Sequence, residues 1–165
     1  RVPFEQRPWM KAAEITDATV EALRSGSHRF LRINYANGDM VGHTGGREAA
    51  ILAMESVDLS LGRLLAAVES LGGVALVTAD HGNADEMYER TTSGAIDRDQ
   101  ATGRPKPKTS HSLNPVPLTV ADYATPATGL LRDDLPQAGL ANVAATVLQI
   151  LGYQAPEAYE PSLLR

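Results

Sequence analysis

Two carboxylates and three imidazoles occupy three short polar stretches of this chain: Asp39-Met40-Val41-Gly42-His43, Asp80-His81 and Thr109-Ser110-His111. Carboxylate oxygen and neutral imidazole nitrogen are ligands for a divalent transition metal. Five such groups exceed what one tetrahedral ion with an open position takes, and they suit a paired site. Asp39 and His43 are four residues apart, which puts them on one face if the segment is helical; the same spacing also fits a plain turn with a capping Asp. Asp80 and His81 are adjacent, and on a regular strand adjacent side chains point to opposite faces. Both meet one ion only if the chain bends there, and Gly82 permits a bend. His111 by itself is an ordinary loop histidine. The fourth histidine, His28, lies among Ser, Gly and Arg with no acidic neighbour.

Composition narrows the chemistry. The chain has 165 residues, enough for one domain with a core, and its 43% hydrophobic and 21% charged content is that of a globular protein. A net charge of -5 with no basic stripe argues against a nucleic-acid partner. Cysteine is absent, which removes disulfide frameworks, thiolate metal sites and cysteine nucleophiles and fits a reducing compartment, so a cytoplasmic location is expected. No stretch approaches the ~18 apolar residues of a membrane span, so no membrane association is expected. The chain opens at Arg1 without Met, and a fragment of a longer polypeptide is the expectation.

The elements that must position these groups follow from periodicity. Pro8 suits a first helical position, and residues 9–24 predict a helix ending at Ser25-Gly26. Residues 30–35 (Phe-Leu-Arg-Ile-Asn-Tyr) predict a short strand leading into Asn37-Gly38-Asp39. Residues 46–71 predict the best helix, with Ala50, Ala53, Val57, Leu61, Leu64, Val68 and Leu71 at steps of three and four. Residues 74–77 predict a buried strand running into Asp80-His81, and residues 116–120 a third strand, an edge one because Pro117 cannot donate to a ladder. Residues 84–114 are polar and loop-like; Arg90, Arg104, Lys106 and Lys108 could hold a phosphate there, though a solvated face explains most of them. Residues 130–136 are ambiguous, and residues 138–151 predict a last helix stopped by Gly152.

Alternating strands and helices imply an α/β layered fold with a largely parallel sheet flanked by helices. In such sheets ligands bind outside the carboxyl ends of the strands. Parallel strands would therefore bring Asp39 and the Asp80-His81 pair to one edge, with His111 folding over it.

The order Asp-x-x-x-His, Asp-His, His resembles the metal-binding signature of the alkaline phosphatase superfamily. The words Asn34-Tyr35-Ala36-Asn37-Gly38-Asp39-Met40-Val41-Gly42-His43-Thr44-Gly45, Thr78-Ala79-Asp80-His81-Gly82-Asn83-Ala84 and Thr109-Ser110-His111-Ser112-Leu113-Asn114-Pro115-Val116-Pro117 look like cofactor-independent phosphoglycerate mutase. The likeness runs through nearly the whole chain and corresponds to the C-terminal part of that enzyme. It implies that residues 1–165 are the C-terminal segment of the metal-binding phosphatase domain. The N-terminal segment and the phosphotransferase domain would be absent, leaving the alkaline-phosphatase-like sheet incomplete.

The resemblance further implies interconversion of 3-phosphoglycerate and 2-phosphoglycerate in glycolysis and gluconeogenesis, through a phosphoserine intermediate at two Mn²⁺ ions, with Zn²⁺, Mg²⁺ or Co²⁺ as alternatives. Asp39, His43 and His111 would hold one ion, and Asp80 and His81 part of the other. The serine nucleophile has no counterpart here and belongs to the absent part. The expected partner is the phosphoglycerate substrate; the parent is expected to be a monomer and the isolated segment to be inactive and to self-associate. Rival readings are another phosphatase or phosphopentomutase of the same superfamily, and a non-catalytic metal-binding domain.

Overall fold

A computed structural model describes residues 2–165. After a 3-10 turn over Phe4–Gln6, helix α1 spans Ala12–Ser25. It starts later than Pro8 because Met10 takes a φ of 45°, a left-handed conformation that no helix can include. It ends at Gly26, also left-handed (φ 66°), whose N–H donates to the Leu23 carbonyl.

The expected strand over residues 30–35 does not form. Its β-forming side chains favour an extended chain, but a strand needs a ladder partner and none is present among the described residues. The segment is instead tied to α1 by its last residue: the Tyr35 hydroxyl lies 2.7 Å from Thr16 Oγ1, which is fully buried and donates to the Ala12 carbonyl.

Helix α2 (Asn37–Gly42) follows at once, and α3 (Arg47–Ser70) is the long helix that periodicity predicted. Ala50, Ala53 and Val68 of the stripe are buried, Val57, Leu61 and Leu64 half-buried, and Leu71 exposed. α1 packs along α3, with an ion pair between Asp17 and Arg63 at the surface.

Strand β1 (Val74–Thr78) pairs with β2 (Leu118–Asp122), and here the sheet expectation needs correction. The pair is antiparallel, Val74 opposite Asp122 and Thr78 opposite Leu118, and forms the whole two-stranded sheet among the described residues. β2 begins just beyond Pro117, whose missing N–H cannot serve the ladder; the Pro117 carbonyl instead accepts from Thr78 Oγ1 at 2.8 Å. Antiparallel pairing sets the exit of β1 beside the entry to β2. That, rather than a shared carboxyl edge, brings the 80s and the 110s together.

Residues 84–114 lack regular elements but are bridged across their length, Tyr88 with Pro107, Arg90 with Ile96 and Arg98 with Pro105. Three of the cations that could have held a phosphate are paired internally: Arg90 and Lys108 with Glu86, and Lys106 with Asp97. Helix α4 is shorter than predicted, Val143–Ile150 after a 3-10 turn at Leu140–Asn142, because Gly139 is fully extended. The ambiguous residues 130–132 are paired with the C-terminal tail through Leu131 and Leu164.

A small core of Val41, Ala50, Ala53 and Met87, packed against by Met10, Ala49 and Ala84, lies directly beneath α2. The α2 side of the site is thus mounted on a buried apolar cluster.

Candidate metal centre

The polar word Asn37-Gly38-Asp39-Met40-Val41-Gly42 folds as α2 because two of its side chains are anchored. Asn37 is buried and donates to the Pro8 carbonyl at 2.8 Å, and Val41, 0% exposed, fills the core. One helical turn then sets Asp39 and His43 on the same outward face. The chain reverses at Gly45, whose φ of 73° is left-handed. A Cβ there would come within 2.7 Å of Pro107 Cβ, so only glycine lets this turn approach residues 107–109 so closely.

That approach orients His43. Its Nδ1 lies 2.5 Å from the Thr109 carbonyl oxygen, which can only accept, so Nδ1 carries a hydrogen and Nε2 is the nitrogen turned toward Asp39 and His111. His43 Nε2 is 3.1 Å from Asp39 Oδ1 and 3.1 Å from His111 Nε2, and His111 Nε2 is 3.0 Å from Asp39 Oδ1. Three candidate donor atoms from two segments lie together. Donors about 2.1 Å from a shared ion stand about 3.0 Å apart at right angles and about 3.4 Å apart at the tetrahedral angle. The observed edges of 3.0–3.1 Å fall in the range that donors sharing one divalent cation would span. Without a cation, three lone-pair atoms would have at most one or two protons to share. The donor set therefore fits a divalent metal.

Asp80 and His81 lie beside this triad in different states. The His81 ring stacks on that of His111, with centroids 3.6 Å apart and planes 16° apart, and its Nδ1 is buried without a hydrogen-bond partner. Asp80 is outside the triad, with its side chain 81% exposed and Oδ1 3.7 Å from His81 Nε2. Among the described residues no third carboxylate or imidazole closes a second cluster around this pair.

Three contributors carried no signal as ligands and were missed in the sequence. The Thr109 carbonyl is backbone, so side-chain type is silent about it. Asn83 donates from Nδ2 to Asp39 Oδ1 at 3.2 Å. Asp85 Oδ2 accepts from Ser112 Oγ at 2.8 Å and Asn114 Nδ2 at 2.7 Å, while Ser112 N–H donates to the Gly82 carbonyl at 2.8 Å. These bonds clamp the segment next to His111 onto the turn after β1. Partial burial pushes the Asp85 carboxyl upward, but the bonds from Asn114 and Ser112 and the nearby Lys108 outweigh it, and its pKa is lowered below the ordinary 3.8. The one signal available was position: Asn83 and Asp85 directly follow the Asp80-His81 pair.

A carboxylate–imidazole triad drawn from α2 and from the segment before β2 is a donor set that a metalloenzyme could use. The chain belongs to the Metalloenzyme superfamily, whose family model matches residues 2–155. Within it the chain is 52% identical over 164 residues to a 2,3-bisphosphoglycerate-independent phosphoglycerate mutase of Trypanosoma brucei brucei, covering 99% of this chain and 30% of that protein. It is 49% identical to a probable enzyme of the same name from Leptospira interrogans, with 99% and 29% covered, and 42% identical to one from Ricinus communis, again with 99% and 29%. A crystal structure of Leishmania mexicana phosphoglycerate mutase at low cobalt concentration superposes with a TM-score of 0.96 at 50% identity, covering 100% of this chain and 30% of that one. The chain spans less than a third of the length of these relatives.

Proposed function

We propose that this chain supplies the metal-binding face of a phosphoglycerate mutase that needs no bisphosphoglycerate cofactor. The protein carrying it would interconvert 3-phosphoglycerate and 2-phosphoglycerate through a phosphoserine intermediate. The reading rests on the relatives' names and on one observation, the meeting of Asp39 Oδ1, His43 Nε2 and His111 Nε2 within 3.0–3.1 Å of one another.

In this reading Asp39, His43 and His111 hold one divalent cation, and Asp80 and His81 supply part of the shell of a second. Residues 1–165 are the C-terminal segment of a phosphatase-type domain, and the serine nucleophile and the remaining ligands come from other parts of the polypeptide. Divalent cations held there would neutralise phosphoryl oxygens and acidify the serine hydroxyl. The chain's own contribution is to hold and orient. Thr109 sets the His43 tautomer, the His81 ring sets the plane of His111, and Asp85 with Ser112 anchors the segment that carries His111. Mixed carboxylate and imidazole donors suit Mn²⁺, Co²⁺ or Zn²⁺.

Metal analysis of the polypeptide carrying this chain, coupled to 3-phosphoglycerate turnover before and after chelation, tests the proposal. Two bound ions and turnover that is lost on chelation and restored by Mn²⁺ or Co²⁺ are expected. Turnover indifferent to chelation, or no metal bound by an active protein, overturns it.

A further inference from the structure

Asn83 is 4% exposed, lies in the turn after β1, and belongs to none of the ligand pairs. Its Nδ2 donates to Asp39 Oδ1, the same oxygen that faces His43 Nε2 and His111 Nε2. Its own Oδ1 is buried with no hydrogen-bond partner. An unpaired buried carboxamide oxygen costs stability, so packing alone would favour an apolar side chain at this position.

Position 42 is built around this carboxamide. Gly42 is helical with an ordinary φ, so its lack of a side chain is not a matter of backbone freedom. A Cβ at residue 42 would come within 2.1 Å of Asn83 Oδ1 and 2.8 Å of its Cγ. The bare backbone of α2 therefore lies against the Asn83 side chain and limits how it can turn.

We infer that Asn83 is a positioning residue for the metal centre, acting through the Asp39 carboxylate, and that Gly42 is the clearance it requires. The inference rests on the metal reading of the triad. The Asp39 side chain is 31% exposed, so packing does not enclose it on all sides. The Asn83 N–H bonds the same Oδ1 that faces the two imidazoles, and metal-ligating carboxylates are commonly hydrogen-bonded in this way. Because Asn83 follows Asp80 and His81 on the same turn, it also joins the two halves of the site.

Cobalt(II) titration followed by visible absorption, on the polypeptide carrying this chain, tests the assignment. The unsubstituted protein should bind Co²⁺ with a d–d spectrum; if it binds none, the metal reading itself falls. Asn83→Ala, and Asn83→Leu as a variant of closer volume, should each weaken Co²⁺ affinity by about tenfold or more and alter the spectrum, with a metal-free melting temperature that does not fall in proportion. Gly42→Ala should weaken binding similarly alone, yet add little in the Asn83→Ala background, where there is no Oδ1 to meet. Unchanged affinity and spectrum in whichever Asn83 variant folds overturns the inference. So does a Gly42→Ala penalty that is the same in both backgrounds.

Discussion

His81 lies flat against His111, their ring centroids 3.6 Å apart and their planes inclined by 16°. The first follows β1 and the second precedes β2, so the contact is a consequence of antiparallel pairing, locked by the Gly82–Ser112 bridge. One imidazole of the triad is therefore held in plane by a ring that belongs to the other half of the site.

That stack separates two roles of His81. His81→Phe keeps a flat ring against His111 and removes both ring nitrogens; His81→Ala removes both functions. Metal titration should find the first ion nearly unaffected by His81→Phe but weakened severalfold by His81→Ala, with the second ion lost in both. Equal effects of the two substitutions on the first ion would mean that the stack orients nothing.

His43, a proposed ligand, is oriented by the Thr109 carbonyl. His43→Ala should lower affinity for the first ion by about tenfold or more and abolish turnover in the protein carrying the chain. Retained metal content and rate would remove His43 from the ligand set.

Asp85 makes stability depend on pH. Its folded-state pKa is lowered, so its contribution is present above the ordinary value of 3.8 and is lost as pH falls through the lowered one. Urea unfolding measured from pH 6 downward should show this acid-side loss, and Asp85→Asn should flatten it while loosening the His111 segment. An identical acid limb in the variant would contradict the clamp.

Val41 is the residue that seats α2 in the core. Val41→Ala removes two fully buried methyl groups and should cost about 2 kcal/mol of unfolding free energy. Chemical denaturation measures it directly, and a loss below about 0.5 kcal/mol would mean that α2 is held by Asn37 alone.

The chain studied on its own exposes Trp9, Phe30, Leu52 and Leu59, and both strands of its small sheet have an unpaired edge. Sedimentation of the isolated chain should show association that grows with concentration. A clean monomer at high concentration would count against it.

The sequence by itself determined what depends on near neighbours. Steps of three and four fixed α3 around Ala50, Ala53 and Val68, and the four-residue spacing of Asp39 and His43 allowed one shared face, which the helical form of α2 then realised. The short words around Asp39, Asp80 and His111 carried the family. Tertiary structure decided what depends on distant partners: that residues 30–35 find no ladder, that β1 and β2 run antiparallel, and that Asp80 stays outside while Asn83 reaches Asp39 across 44 residues and Thr109 reaches His43 across 66. Strand direction and long-range hydrogen bonds leave no periodic trace, because a side chain's spacing records only which face of its own element it occupies. Which atom waits on the other side is settled when the chain closes on itself.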